Sequence, residues 1–125
     1  IATPKGYEPK PEWIAPFHDR ITLHSDPQPA ARGADIVVTD TWASMGQEHE
    51  KAQRIKTFSG FMVDAALMKL ADKRAVFMHC LPAYRGMEVA AEVIDGPQSV
   101  VWDEAENRLH AQKALLEFLL AKKPK

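Results

Sequence analysis

Cys80 is the only cysteine, so no intrachain disulfide can form. A single thiol fits a reducing compartment, and a cytoplasmic location is the corresponding expectation. No second Cys and no spaced His pair accompanies it, which argues against a zinc site; no cofactor is expected. Long apolar runs are also missing. Ala114–Leu120 is interrupted by Glu117 and falls well short of the ~18–20 residues of a membrane span. The net charge of −1 leaves no basic excess with which to hold nucleic acid or an anionic membrane, although a few placed cations could still form a local anion site. The start, Ile1-Ala2-Thr3-Pro4, has no basic flank, no apolar core segment and no initiator Met. The expectation is a piece of a longer chain. Internal repeats and low-complexity segments are absent.

What is present suits one soluble globular domain: 125 residues, 46% apolar and 26% charged. At that size folding buries roughly two-thirds of the unfolded surface, enough for a core. Ile1-Ala2-Thr3 has the pattern of a strand tail closed by a Pro4–Tyr7 turn. Pro11 is placed to open a helix through Glu12–Arg20, with Pro16 disturbing its middle. Ile21–His24 alternates as a strand, and Asp26 is a cap for a helix opening at Pro27 and ending near Gly33.

Ala34–Asp40 is the clearest strand. Its β-branched run predicts burial on both faces, as in a parallel sheet. Thr41–Glu48 is then a loop, His49–Lys56 a polar helix and Val63–Leu70 a second helical stretch. Ala75–His79 is a buried strand, Glu88–Ile94 a short helix, and Ser99–Trp102 a further strand. From about Glu104 to Lys122 runs a helix with Leu109, Leu116, Phe118, Leu119 and Leu120 available for an apolar face. Alternating strands and helices predict an α/β fold with a parallel, helix-covered sheet.

Three strand-to-loop junctions carry polar groups suited to chemistry. Asp40 ends a strand and is followed by Ser44 and Gly46 in a Trp-containing loop. An Asp there is often only a turn former, but a carboxylate at that place can also hold a substrate ammonium. His79-Cys80-Leu81-Pro82 ends the next strand. A free Cys is usually a small buried hydrophobe, yet a thiolate beside a substrate amine could help to deprotonate it. Glu104-Ala105-Glu106-Asn107-Arg108 is either the charged first turn of a helix or, through Arg108 and helix N–H groups, an oxyanion site. Ligands of open α/β sheets bind at the carboxyl ends of strands, where the first two junctions lie.

Together with the opening Ala2-Thr3-Pro4-Lys5-Gly6-Tyr7-Glu8-Pro9, these junctions resemble the second half of ornithine carbamoyltransferases over nearly the whole chain. The related aspartate enzyme has Pro where Cys80 stands and lacks the Ser-Met-Gly loop. The resemblance implies transfer of the carbamoyl group of carbamoyl phosphate to the δ-amine of L-ornithine, giving citrulline and phosphate, a step of arginine-biosynthesis or urea-cycle type. It implies that Asp40, Ser44 and Met45 bind ornithine and that Cys80 sits beside the attacking amine as proton acceptor. His79 and Arg108 would hold the carbamoyl oxygen, and Cys80 and Leu81 would also contact carbamoyl phosphate.

By the same resemblance, residues 1–125 are a partial L-ornithine-binding domain of Rossmann-like, three-layer architecture, lacking its first strand and helix. The N-terminal carbamoyl-phosphate domain would be a partner and the full-length enzyme a homotrimer. The isolated chain is expected to be inactive, with a sheet edge left uncovered. Two other functions fit the residues: a sister transcarbamoylase for putrescine or an acylated ornithine, and a non-catalytic amino-acid-binding or interaction module.

Overall fold

The computed structural model describes residues 1–43 and 48–121. Its centre is a parallel pair, β1 (Ile36–Thr39) and β2 (Val76–His79), in the register Ile36↔Val76 to Thr39↔His79. On the far side of β2, Ser99 adds a parallel bridge to Phe77. Both backbone groups of Phe77 face that segment, its N–H donating to the Gln98 carbonyl and its own carbonyl accepting from the Val100 N–H. A second parallel bridge, Ala2↔His24, stands apart from the pair. The expected α/β fold with a parallel sheet is present.

Helices connect and cover these strands. α1 (Pro11–Ile14) runs into a single 3₁₀ turn at Ala15–Phe17, so the helix expected to reach Arg20 stops early. Pro16 explains this: its ring removes a helical N–H and crowds the preceding turn. α2 (Pro27–Ala31) opens as expected on Asp26, whose carboxylate accepts from the Gln28 N–H at 2.9 Å. A 3₁₀ turn at Glu48–Glu50 leads into α3 (Lys51–Thr57), and Asp64 caps α4 (Ala65–Met68) through the Leu67 N–H. α5 (Ala91–Ile94) is shorter than the helix expected from Glu88, and Glu88 itself precedes it. The final helix, α6 (Val101–Leu120), begins three residues before the position expected from the sequence. Val101 and Trp102, expected in a strand, are its first turn. Lys122 lies outside the described residues.

The core gathers Phe77, Val89, Val93, Ile94, Val101, Val63, Leu67 and Met68 around one face of β2. Two expectations about burial fail. Val37 is buried, but Ile36 and Val38 are 53% and 64% exposed, so β1 is covered on one face only. The run of β-branched residues suits a strand covered on both faces, and no described element lies over the second face of β1. The apolar residues of α6 are likewise uncovered: only Val101 is buried, while Leu109, Leu116 and Phe118 are exposed. Among the described residues, no helix is long and apolar enough to cross a membrane.

Candidate active site

The parallel register decides where the chemistry gathers. Because Thr39 pairs with His79, the next residues, Asp40 and Cys80, leave the sheet side by side. The Cys80 thiol donates to Asp40 Oδ1 at 3.2 Å, and the same oxygen accepts from the Thr41 N–H at 2.7 Å. The thiol pKa is raised, first by lost hydration at the strand end and then by the hydrogen bond to Asp40. The negative charges of Asp40 and Glu104 act in the same direction. With its pKa raised, Cys80 is a neutral thiol at pH 7 and not a standing thiolate. Replacing Asp40 by Asn removes one of the two charges and brings the thiol pKa down. Alkylation of Cys80 by iodoacetamide at pH 8 should then run about threefold to tenfold faster, because the thiolate is the reactive form. An unchanged or slower rate would remove Asp40 as the controlling group.

His79 lies behind this pair and is fully buried, together with Glu88. Its Nδ1 accepts from the Leu81 N–H at 2.9 Å, so Nε2 carries the hydrogen and donates to Glu88 Oε1 at 3.2 Å. The same Glu88 oxygen accepts from the Tyr84 N–H at 2.6 Å. Glu88 Oε2 is buried without a hydrogen-bond partner among the described residues. Both His79 nitrogens are thus engaged within the protein. In this arrangement the ring has no free group to turn outward. It braces the turn that follows instead. Leu81 has a φ of +55°, unusual for a branched side chain, and its N–H is tied to the imidazole in that conformation.

Asp40, His79 and Cys80 offer ligand atoms within 4.8 Å of one another, a geometry that could suggest a metal. The imidazole lone pair is already taken by the Leu81 N–H, so the set lacks a free nitrogen ligand.

Glu104, in the first turn of α6, accepts from the His79 backbone N–H at 3.0 Å and joins that helix to the end of β2. Arg108 is one turn further along the same helix face. It is exposed and makes no ion pair among the described residues. Because α6 starts at Val101, Arg108 is two turns into the helix and not beside its free N–H groups.

Trp42 is buried and stacks on Phe58 at 6.0 Å, and Phe58 also meets Tyr7 edge-on at 4.9 Å. Arg54 donates to the Trp42 carbonyl at 3.3 Å, pairs with Glu50 at 3.0 Å and lies over the Tyr7 ring. This cluster holds the chain on both sides of Ser44 and Met45, which themselves lie outside the described residues.

The structure therefore brings together Asp40, Cys80, His79 and Leu81, and sets Arg108 on the helix that Glu104 anchors to them. Sequence reasoning missed Glu88 and Glu104 as site residues.

The model of the aspartate/ornithine carbamoyltransferase Asp/Orn-binding domain matches residues 1–119. The chain belongs to that carbamoyltransferase family. It is 62% identical over 120 residues to the ornithine carbamoyltransferase of Nitrosococcus oceani, covering 96% of this chain and 40% of that protein. It is 59% identical to the ornithine carbamoyltransferase of Leifsonia xyli, covering 98% of this chain and 41% of the relative. Among solved carbamoyltransferase structures, the anabolic ornithine enzyme of Campylobacter jejuni superposes with a TM-score of 0.88 at 46% identity, over 95% of this chain and 42% of that one. An acetylornithine transcarbamylase superposes with a TM-score of 0.80 at 30% identity, over 98% of this chain and 40% of that one. The chain thus spans about two-fifths of the length of the carbamoyltransferases it matches.

Proposed function

We propose that this chain supplies the ornithine-binding part of an ornithine carbamoyltransferase, which carbamoylates the δ-amine of L-ornithine with carbamoyl phosphate. The observation that carries this reading is the Cys80–Asp40 contact at two neighbouring strand ends, braced from behind by His79. A carboxylate and a thiol in contact make a receptor for an ammonium group. Once the ammonium offsets the charge of Asp40, the thiolate form of Cys80 becomes more accessible and can accept the amine proton. The freed nitrogen lone pair attacks the carbamoyl carbon, the bond to the phosphate oxygen breaks, and the departing phosphate takes the second amine proton as the intermediate collapses. No covalent enzyme intermediate is needed, so positioning and oxyanion stabilisation carry the rate.

Asp40, Ser44 and Met45 are assigned to ornithine, and Cys80, Leu81 and Arg108 to carbamoyl phosphate. Here His79 acts through the Leu81 turn, not on the carbamoyl oxygen. Ornithine is favoured over acetylornithine because, among the solved structures, the Campylobacter jejuni ornithine enzyme is 46% identical to this chain, against 30% for the acetylornithine enzyme. The family resemblance supports a homotrimer completed by a carbamoyl-phosphate domain. The single thiol suits a cytoplasmic location.

A citrulline assay with both substrates tests the assignment. The 125-residue chain alone should form no citrulline above background, whereas the chain joined to the upstream part of the Nitrosococcus oceani relative should turn over ornithine. Normal turnover by the isolated chain would overturn the division of labour. Preference of the joined protein for putrescine or acetylornithine would overturn the substrate.

A further inference from the structure

Phe77 and His79 lie two residues apart on β2, so their backbone groups face the same side of the strand. Phe77 meets the backbone of Gln98 and Val100 there. At the level of His79 the chain has already turned into α6, and the ladder offers no further strand carbonyl. The His79 N–H donates instead to Glu104 Oε2 at 3.0 Å. A side-chain carboxylate thus stands in for a strand carbonyl, at a fully buried residue whose donor must find a partner.

This bond holds more than a strand end. Within α6, Val101 is buried, Glu104 is half-buried and every other residue is exposed. The helix is therefore fastened at its first turn, by one apolar side chain in the core and one hydrogen bond three positions on, along the same face. Among the described residues, no other α6 side chain bonds to another element. Glu104 and Arg108 have the spacing of a helical ion pair, yet that pair is not formed. Glu104 turns to β2 and leaves the guanidinium for another anion. Val101 alone does not fix the rotation of the helix about its axis. Side chains reach about 5–6 Å from that axis, so a rotation of about 20° carries the guanidinium about 2 Å. A misplacement of about 1 Å can cost a reaction about 10²-fold.

We propose that Glu104 is a positioning residue for the carbamoyl donor: its bond to the His79 N–H sets the rotation of α6, and so the place at which Arg108 meets the anionic substrate. The role rests on the assignment of Arg108 to carbamoyl phosphate. It requires an acceptor oxygen at the reach of a glutamate, not a negative charge. The charge in fact opposes the proton acceptor. Lost hydration and then Asp40 raise the Cys80 pKa, and Glu104 adds to them.

The test is the kinetics of citrulline formation by the complete enzyme, the chain joined to the upstream part of the Nitrosococcus oceani relative. Glu104→Ala should lower kcat/KM for carbamoyl phosphate by about 30- to 300-fold, with KM for carbamoyl phosphate up at least about threefold and KM for ornithine within about twofold. Glu104→Gln keeps an oxygen at the same reach and should return to within about fivefold of wild type. Glu104→Asp keeps the charge, falls one methylene short and should resemble the Ala variant. Arg108→Ala closes a double-mutant cycle, in which the cost of Glu104→Ala should nearly vanish once Arg108 is gone. Should the Ala variant not fold, the comparison of Gln with Asp decides. An active Asp variant beside a failing Gln variant would overturn the role, because charge would then be what counts. So would an unchanged KM for carbamoyl phosphate, an equal rise in KM for ornithine, or additive losses in the cycle. If Arg108→Ala leaves the carbamoyl phosphate kinetics unaltered, the assignment of Arg108 itself falls, and the role of Glu104 with it.

Discussion

Replacing Cys80 by alanine in the complete enzyme should lower kcat for citrulline formation by about 10²- to 10⁴-fold, the span of a lost general base. The Michaelis constant for ornithine should change far less, because Asp40 remains to attract the ammonium. Stability should barely move: the thiol is exposed and its one side-chain partner, Asp40, is solvent-accessible on the other side of the contact. This combination separates chemistry from folding. A structural cysteine would give the reverse pattern, with a lower melting temperature and an intact rate per folded molecule. The neutral state of the free thiol also sets a sign for pH. As pH rises the thiolate fraction grows, so the wild-type rate at saturating ornithine should climb through the neutral range, and the Ala variant should lose that limb. A kcat within twofold of wild type would end the role proposed for Cys80.

Glu88→Ala should produce the other large effect, chiefly on stability. The substitution removes the acceptor shared by His79 Nε2–H and the Tyr84 N–H, in a site with no solvent access. Each buried donor left without a partner costs about 1–3 kcal/mol, and the vacated carboxyl volume adds a cavity. A total of about 3–5 kcal/mol is expected, read as a lower urea midpoint at unchanged slope. Glu88→Gln keeps one oxygen in place and should cost less than half as much. In the complete enzyme, freeing His79 releases the Leu81 turn and with it the position of Cys80, so kcat should fall in Glu88→Ala even among folded molecules. If Glu88→Ala unfolds within 1 kcal/mol of wild type, the brace has been misassigned.

The junctions were legible because their signals are local. A strand that ends on Asp40 and another that ends on His79-Cys80 announce themselves by hydrophobic runs stopping on polar residues. Asp26 as a helix cap was legible for the same reason, since its partner is two residues away. Glu88 and Glu104 were not, because their importance depends on partners nine and twenty-five residues away. Nothing within either segment separates a carboxylate that meets a distant His79 from one that begins a helix. The start of α6 was misplaced for a related cause. Ser99-Val100-Val101 favours strand by its β-branched residues, but only one bridge to Phe77 forms before the helix takes over.

By itself the sequence determined the class of fold, the order of elements and the residue types that chemistry could use. Periodicity, caps and motif order act over a few residues and survive without knowledge of the rest. Only the tertiary structure decided which of those residues meet. The parallel register set Cys80 against Asp40, burial set His79 against Glu88, and the second face of β1 stayed uncovered. Each of these depends on where separate strands come to lie. That is set by packing across the whole chain, and it leaves no local mark to be read.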